Sequence, residues 1–341
     1  MAQPNPLLHQ PLPVDLRAIE RELEQLWKSA EGEAVVRACA VNLLVYVRDQ
    51  ETEAQVTQVV AQLPTRHPCR AIVLREHLDT QGQLDAWVQA HCLLPAPGQP
   101  QVCSEQITIA ASSDQVNRLP SAALALLVAD LPAALWWPGL VPWNSSLFQS
   151  LSALADRIIL DSASFPALAP DLAALAALVQ QYPASTSPYR DLSWGRLTVW
   201  RQLIAKLFDP VEHRSYLDQL QRVSIHYSGE NPVQALLLGG WLRSRLGRPL
   251  AVSTAAQPGA PGGVTSVQLW AGDTVFTVGR TPDSDCVKTS IQSSELGQRQ
   301  YTTRFAAPDE VTLLSAELDL LGCDQMYGEA LGQAQAILRA P

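Results

Sequence analysis

The chain has 341 residues, 47% of them hydrophobic and 17% charged, with a formal net charge of −9. This is the composition of a folded globular protein rather than a disordered one, and its length exceeds the roughly 250–300 residues at which single cores stop growing, so two domains are expected. The acidic balance and the lack of a basic stripe argue against nucleic acid as a partner. Arginines cluster only at Arg243, Arg245 and Arg248, on a helix end where the dipole favours them.

The opening fifteen residues, MAQPNPLLHQPLPVD, lack the basic, apolar and small-residue regions of a secretory leader and read as a mobile tail. The longest apolar stretch, 122–143, is broken by Asp130, Pro132, Pro138 and Pro142, short of the ~18 uninterrupted apolar residues of a membrane span. A cytoplasmic protein without membrane contact is therefore expected. Six cysteines without CxxC spacing support neither a disulfide scaffold nor structural zinc.

In chain order, Leu16, Ile19, Leu23, Leu26 and Trp27 fall at helical spacing behind a capping Asp15. The run 40–47 (AVNLLVYV) is apolar nearly throughout, as in a strand buried on both faces. A helix over 51–63 and a strand over 70–75 complete a strand, helix, strand unit. Residues 84–94 and 102–110 read as two antiparallel strands joined by the turn PAPGQP. A helix over 113–123, a strand over 124–129 ending at Asp130, a helix over 147–155 and a strand over 157–160 ending at Asp161 continue the rhythm. The expected first domain is a layered α/β fold over 16–185, a mixed sheet with helices on both faces, closed by a helix over 170–181.

YPASTSPYRD (182–191) reads as a linker, so the second domain spans 186–341. It opens with a helix over 193–209 capped by Ser193, then a strand over 222–227. A helix follows with Asn231 as cap, Pro232 at its first position and Gly247 past its end. Four alternating strands near 264–270, 274–279, 285–292 and 299–305 form an antiparallel meander. Helices over 309–321 and 325–338 finish an α+β domain.

Few residue patterns in the chain carry chemistry. GxGxxG and GxxxxGK[ST] are absent, so no nucleotide cofactor is expected. The six histidines fall singly, without a metal-ligand pair. Ser162 lacks the GxSxG elbow of a hydrolase, and an Asp-Ser pair at a strand end reads first as a helix cap. Tryptophan is in excess, with nine in the chain. Trp136, Trp137 and Trp143 crowd a segment punctuated by Pro138, Gly139 and Pro142, where an aromatic loop beyond a strand end would offer a partner surface.

The stretches LLVADLPAALWWPG (126–139), RIILDSASF (157–165) and DLSWGRLTVWRQLIAKLFD (191–209) together resemble three blocks of the OpcA family in their usual order. The resemblance implies a cytosolic, non-catalytic protein that binds glucose-6-phosphate dehydrogenase, promotes its active oligomer and couples it to thioredoxin-linked redox state in the pentose phosphate pathway. The family has no accepted catalytic residues to carry over. Pro138 departs from it, since a basic residue usually follows the tryptophan pair. Expected partner contacts are Trp136, Trp137, Trp143, Asp130, Asp161 and Ser162. The redox part falls on Cys92 and Cys103, which flank the turn and, if opposite, suit a disulfide's Cα spacing; Cys39 and Cys69 form a second possible pair. The alternative is a sugar-phosphate isomerase or lactonase using Asp130 and Asp161.

Overall fold

The computed structural model describes residues 11–29, 35–77, 82, 84–183, 186–248, 250–257, 262–281, 284–319, 322 and 324–339. The chain forms two compact units that are not consecutive stretches. Unit 1 holds Met1–Leu160, Pro188–Arg190 and Glu310–Leu320, and unit 2 holds Asp161–Ser187, Asp191–Asp309 and Leu321–Pro341. The helix over 170–181 and its flanks thus group with unit 2 rather than closing the first domain.

Among the described residues unit 1 is built on nine strands: β1 (Leu12–Val14), β2 (Val35–Arg37), β3 (Val41–Val47), β4 (Cys69–His77), β5 (Leu84–Leu93), β6 (Gln101–Ser112), β7 (Ala133–Trp137), β8 (Arg157–Leu160) and β9 (Tyr189–Asp191). They lie in the order β1-β5-β6-β4-β3-β7-β8-β9, with β2 also on β6. From β6 to β8 the strands are parallel, and β5 and β1 add antiparallel neighbours. The apolar run of β3 is buried because a parallel strand is covered on both faces. The supposed tail contributes β1, whose Leu12 pairs with Val88; residues 1–10 lie outside the described residues.

Helices α1 (Ile19–Ser29), α2 (Gln50–Val60), α3 (Leu119–Leu126) and α4 (Ser146–Ser152) belong to this unit, as does α10 (Glu310–Asp319). Asp49 caps α2 by accepting from Thr52 N at 2.7 Å. Arg70 of β4, itself buried, fastens α1 and α3 to the sheet: it donates to Glu105 (2.9 Å), to Glu20 (2.6 Å) and to the Leu126 carbonyl (3.0 Å). A buried guanidinium needs such partners, since an unpaired buried charge costs several kcal/mol, on the order of 3–5.

The expected strand over 124–129 is absent. Its first residues end α3, whose Ala- and Leu-rich sequence has no β-branched residue until Val128, and Pro120 sits in its first turn. The strand of this segment is β7, further along. Asn42 fixes the intervening turn, donating to the carbonyls of Val128 and Leu131 and accepting from Val128 N.

Unit 2 contains α5 (Leu168–Gln180), α6 (Leu192–Arg196), α7 (Thr198–Lys206), α8 (Val211–Arg214), α9 (Val233–Leu246) and α11 (Gln325–Arg339). Its strands among the described residues, β10 (Leu220–Ser228), β11 (Ala251–Ala256), β12 (Gly263–Ala271), β13 (Thr274–Arg280), β14 (Cys286–Ser293) and β15 (Gly297–Arg304), are ordered β11-β10-β12-β13-β14-β15. The expected helix over 193–209 is divided at Leu197 into α6 and α7, and Asp191 rather than Ser193 caps it. Asn231 accepts from Val233 N at the head of α9, and Gly247 ends it with φ 62°. Gly240 lies mid-helix despite its entropic cost, because a Cβ there would sit 2.2 Å from the Ala330 carbonyl oxygen of α11.

Candidate functional site

In unit 1, β3 lies between β4 and β7, so the sheet switches direction of winding there, and the carboxyl ends of β3 and β7 are where an α/β sheet usually meets a ligand. The residues at those ends are aromatic. Trp136 and Trp137 are successive residues of β7 and point to opposite faces; each is only 1% exposed. This corrects the expectation of an exposed aromatic loop: a Trp-Trp pair closing a buried strand packs on both faces of the sheet. Trp137 stacks on Tyr46 with ring centroids 4.2 Å apart and meets Phe148 edge-on at 5.1 Å. Its indole N–H donates to the Leu140 carbonyl at 2.8 Å. The Trp136 N–H is buried without a hydrogen-bond partner among the described residues.

The loop after β7 covers this stack. Gly139 takes φ 95° in it, a conformation that favours glycine. Trp143 lies edge-on to Phe148 at 6.0 Å and is half-buried, while Leu140 is 46% exposed. Beside it, Glu76 accepts from the Tyr46 hydroxyl (3.0 Å) and from Ser113 Oγ (3.1 Å). Burial and the Glu76 charge push the Tyr46 pKa up, so the phenol stays protonated. Asp130 is not at the carboxyl end of a strand. It occupies the turn before β7, at the opposite edge of the sheet, exposed and with φ 64°.

The cysteines of the β5/β6 hairpin are brought together as expected. Cys92 and Cys103 are directly opposed in the ladder and joined by a disulfide, with Cα atoms 4.0 Å apart. Cys103 is wholly buried and Cys92 packs against Leu26 and Ala90. The other candidate pair is unjoined: Cys39 and Cys69 are free thiols. Burial raises the pKa of Cys39 and pushes Cys69 up to about 12, which disfavours the reactive thiolate of both.

In unit 2, Asp161 and Ser162 enter a polar cluster whose centre the sequence reading missed. Asp161 accepts a bidentate pair from Arg196 at 2.7 and 2.7 Å and bonds from Ser193 Oγ (2.9 Å) and Ala163 N (3.1 Å). Asp191, fully buried, accepts from Ser162 N (3.0 Å), Ser193 N (2.9 Å), Ser162 Oγ (2.6 Å) and the Tyr327 hydroxyl (3.3 Å). Burial, reinforced by the Asp161 charge, pushes the Asp191 pKa up to about 6 despite these donors. Asn231 closes the cluster by donating to the carbonyls of Ser162, Ala163 and Phe165.

This arrangement caps and joins backbone turns. Asp161 caps the short turn 162–164, and Ser162, 0% exposed, cannot meet a partner or substrate in this conformation. Asp191 opens the stretch 191–209, but its partner Tyr327 is 136 residues away, and no local spacing joins the two. Among the described residues no group of His, Cys, Asp or Glu could hold a metal ion, and no helix is long and apolar enough to cross a membrane.

The fold and its clusters define a two-unit α/β protein with a parallel, doubly wound core and an α+β unit built on a mixed, mostly antiparallel sheet. Residues 60–177 match the family described as glucose-6-phosphate dehydrogenase subunit N-terminal domain, and residues 187–331 match the corresponding C-terminal domain. The chain belongs to the OpcA family, in its cyanobacterial form. It is 34% identical over 190 residues to the OxPP cycle protein OpcA of Nostoc punctiforme, covering 55% of this chain and 40% of that one. It is 30% identical over 308 residues to the OpcA of Synechocystis, covering 80% and 64% respectively. The chain thus spans less than two thirds of the length of these two relatives. Among solved structures, an aldose-aldose oxidoreductase from Caulobacter crescentus aligns over 89% of this chain and 97% of its own at 10% identity and a TM-score of 0.47.

Proposed function

We propose that this chain is a non-catalytic partner of glucose-6-phosphate dehydrogenase in the oxidative pentose phosphate pathway, acting in the cytoplasm to promote the enzyme's active oligomer. The observation that carries the reading is the ordered match of both halves, 60–177 and 187–331, to domains described as dehydrogenase subunit. A protein of this kind acts by binding one state of the enzyme more tightly than another, and it shifts the equilibrium only by that difference. Trp143 and Leu140, on the loop after β7, form the contact we assign to the enzyme, with Trp137 holding that loop from within the core through its bond to the Leu140 carbonyl.

Redox coupling, with thioredoxin as reductant, is assigned to Cys92–Cys103, the disulfide of the described residues. Gel filtration of the chain with purified dehydrogenase, alongside glucose 6-phosphate saturation curves, tests the reading. Co-elution and a lowered half-saturation are expected, both weakened by Trp143→Ala and altered by dithiothreitol. Separate elution with unchanged kinetics would sink it.

A further inference from the structure

One face of the unit 1 sheet changes character across its width. Over β3 and β4 it is apolar (Val45, Val73) and covered by α2, whereas over β6 and β5 the same face presents Gln106, Thr108, Trp87 and Gln89. Between these strands and α2 lies a cavity of about 450 Å³, lined among others by Glu53, Thr57, Arg75, Trp87, Gln89 and Thr108. That is within the roughly 300–1,000 Å³ of small-molecule sites.

The hydrogen bonding of the lining is incomplete in one direction. Gln106, in the floor, is saturated: its oxygen faces His91 Nε2 at 2.9 Å, and its amide donates to Thr57 Oγ1 (3.0 Å) and Thr108 Oγ1 (3.2 Å). Each threonine oxygen therefore accepts from below and keeps a hydroxyl proton to donate. Gln89 is only 5% exposed, and its carboxamide, which lines the cavity, has no hydrogen-bond partner among the described residues. The charges of the lining cancel, because Arg75 is paired with Glu53. The Arg75 guanidinium also lies 5.6 Å from the Trp87 ring centroid.

We propose that this cavity binds an uncharged, polyhydroxylated ring compound of monosaccharide size. Hydroxyl groups both donate and accept, which matches a lining with donors at Thr57 and Thr108 and both functions on Gln89. A phosphate or carboxylate finds no free positive charge there, and an apolar ligand would leave Gln89 unpaired. The indole of Trp87 supplies the apolar wall for the C–H face of the ring. The inference stands independently of the dehydrogenase reading.

Isothermal titration and ligand-observed NMR on the full chain, with D-glucose and myo-inositol as neutral probes and glucose 6-phosphate as the charged comparison, test it. Saturable binding of a neutral probe is expected, weakened about tenfold by Gln89→Leu and several-fold by Thr108→Val, with glucose 6-phosphate binding more weakly than glucose. Unfolding midpoints report whether each variant folds, and Thr108→Val carries the test if Gln89→Leu does not. Absence of saturable binding by both neutral probes, tighter binding of the phosphate ester, or folded variants that bind like wild type would each overturn the proposal.

Discussion

Removing the Cys92–Cys103 bond should destabilise unit 1 without altering its strand pairing. The bond joins residues with a sequence separation of 11, and in the chain-entropy treatment a loop of about that size lowers the entropy of the unfolded chain by about 9 cal/mol/K, or about 2.8 kcal/mol at 25 °C. For a unit of this size each kcal/mol moves the midpoint by roughly 2–4 °C, so Cys92→Ser with Cys103→Ser should melt roughly 6–11 °C below the oxidised protein. The folded hairpin should persist, because the bond sits at the next-to-last rung before the turn, and the ladder runs on from Ala90↔Glu105 to Leu84↔Ala111 without it. Thermal melts with and without dithiothreitol give the magnitude. Hydrogen exchange followed by mass spectrometry gives the location, with faster exchange confined to Leu93, Val102 and the turn between them. A midpoint within about a degree of the oxidised protein would refute the entropic reasoning. Loss of protection along the whole of β5 would refute the local one.

Three other outcomes follow from the packing and the charges. The Asp191 carboxyl titrates near 6 when folded and near 3.8 when unfolded, so the folded state binds more protons between those values. Stability should therefore fall by up to about 3 kcal/mol as pH rises through that window and stay flat above it. Urea midpoints from pH 4 to 7 measure this, and Asp191→Asn should remove the slope. Trp137→Phe should cost more than Trp136→Phe in the same assay, since only Trp137 loses an indole hydrogen bond while Trp136 sheds an unpartnered buried N–H; the reverse order would contradict the assignment. Gly240→Ala should destabilise unit 2 by about 1–3 kcal/mol through overpacking against α11, and an unchanged midpoint would show that α9 and α11 can separate freely.

How much was readable beforehand depended on whether the signal was local. The β5/β6 hairpin was legible because period-two alternation and a Pro-Gly turn lie within twenty-odd residues, and its register placed the two cysteines opposite. The Gly247 stop of α9 and the meander were legible for the same reason, whereas the start of α9 falls one residue later than expected, with Pro232 rather than Asn231 at the cap position. The run 119–129 was not, since a short apolar stretch fits a buried helix as well as a buried strand; that single ambiguity moved Asp130 to the wrong edge and put two core tryptophans on the surface. β1 is three residues long and carries no period of its own, so only its pairing with β5 reveals it. The cavity was hidden in plain view: Gln106 and Thr108 interrupt the apolar pattern of β6 at alternate positions, a signal that becomes meaningful once Gln89 is known to lie opposite Gln106.

The sheet also constrains how redox state and partner contact can be related. β6 and β7 are separated by β4 and β3, three strand spacings or roughly 14 Å. Along the strands, Asn42 is level with both Arg70 and Ala133, and Arg70 with Glu105, so Cys103 lies six positions before Trp137, roughly 20 Å. The disulfide therefore sits at the amino edge of the sheet and the Trp143 loop beyond its carboxyl edge, too far apart to share a contact. Sites beyond about 7–10 Å without shared partners contribute additively, within about 0.5 kcal/mol. If the dehydrogenase is bound through Trp143 and tuned through Cys92–Cys103, the loss of affinity in the triple variant should equal the sum of the losses from Trp143→Ala and from the double Cys→Ser change. A coupling above about 1 kcal/mol, read from titrations of each variant with the enzyme, would mean instead that the hairpin and the loop move as one element.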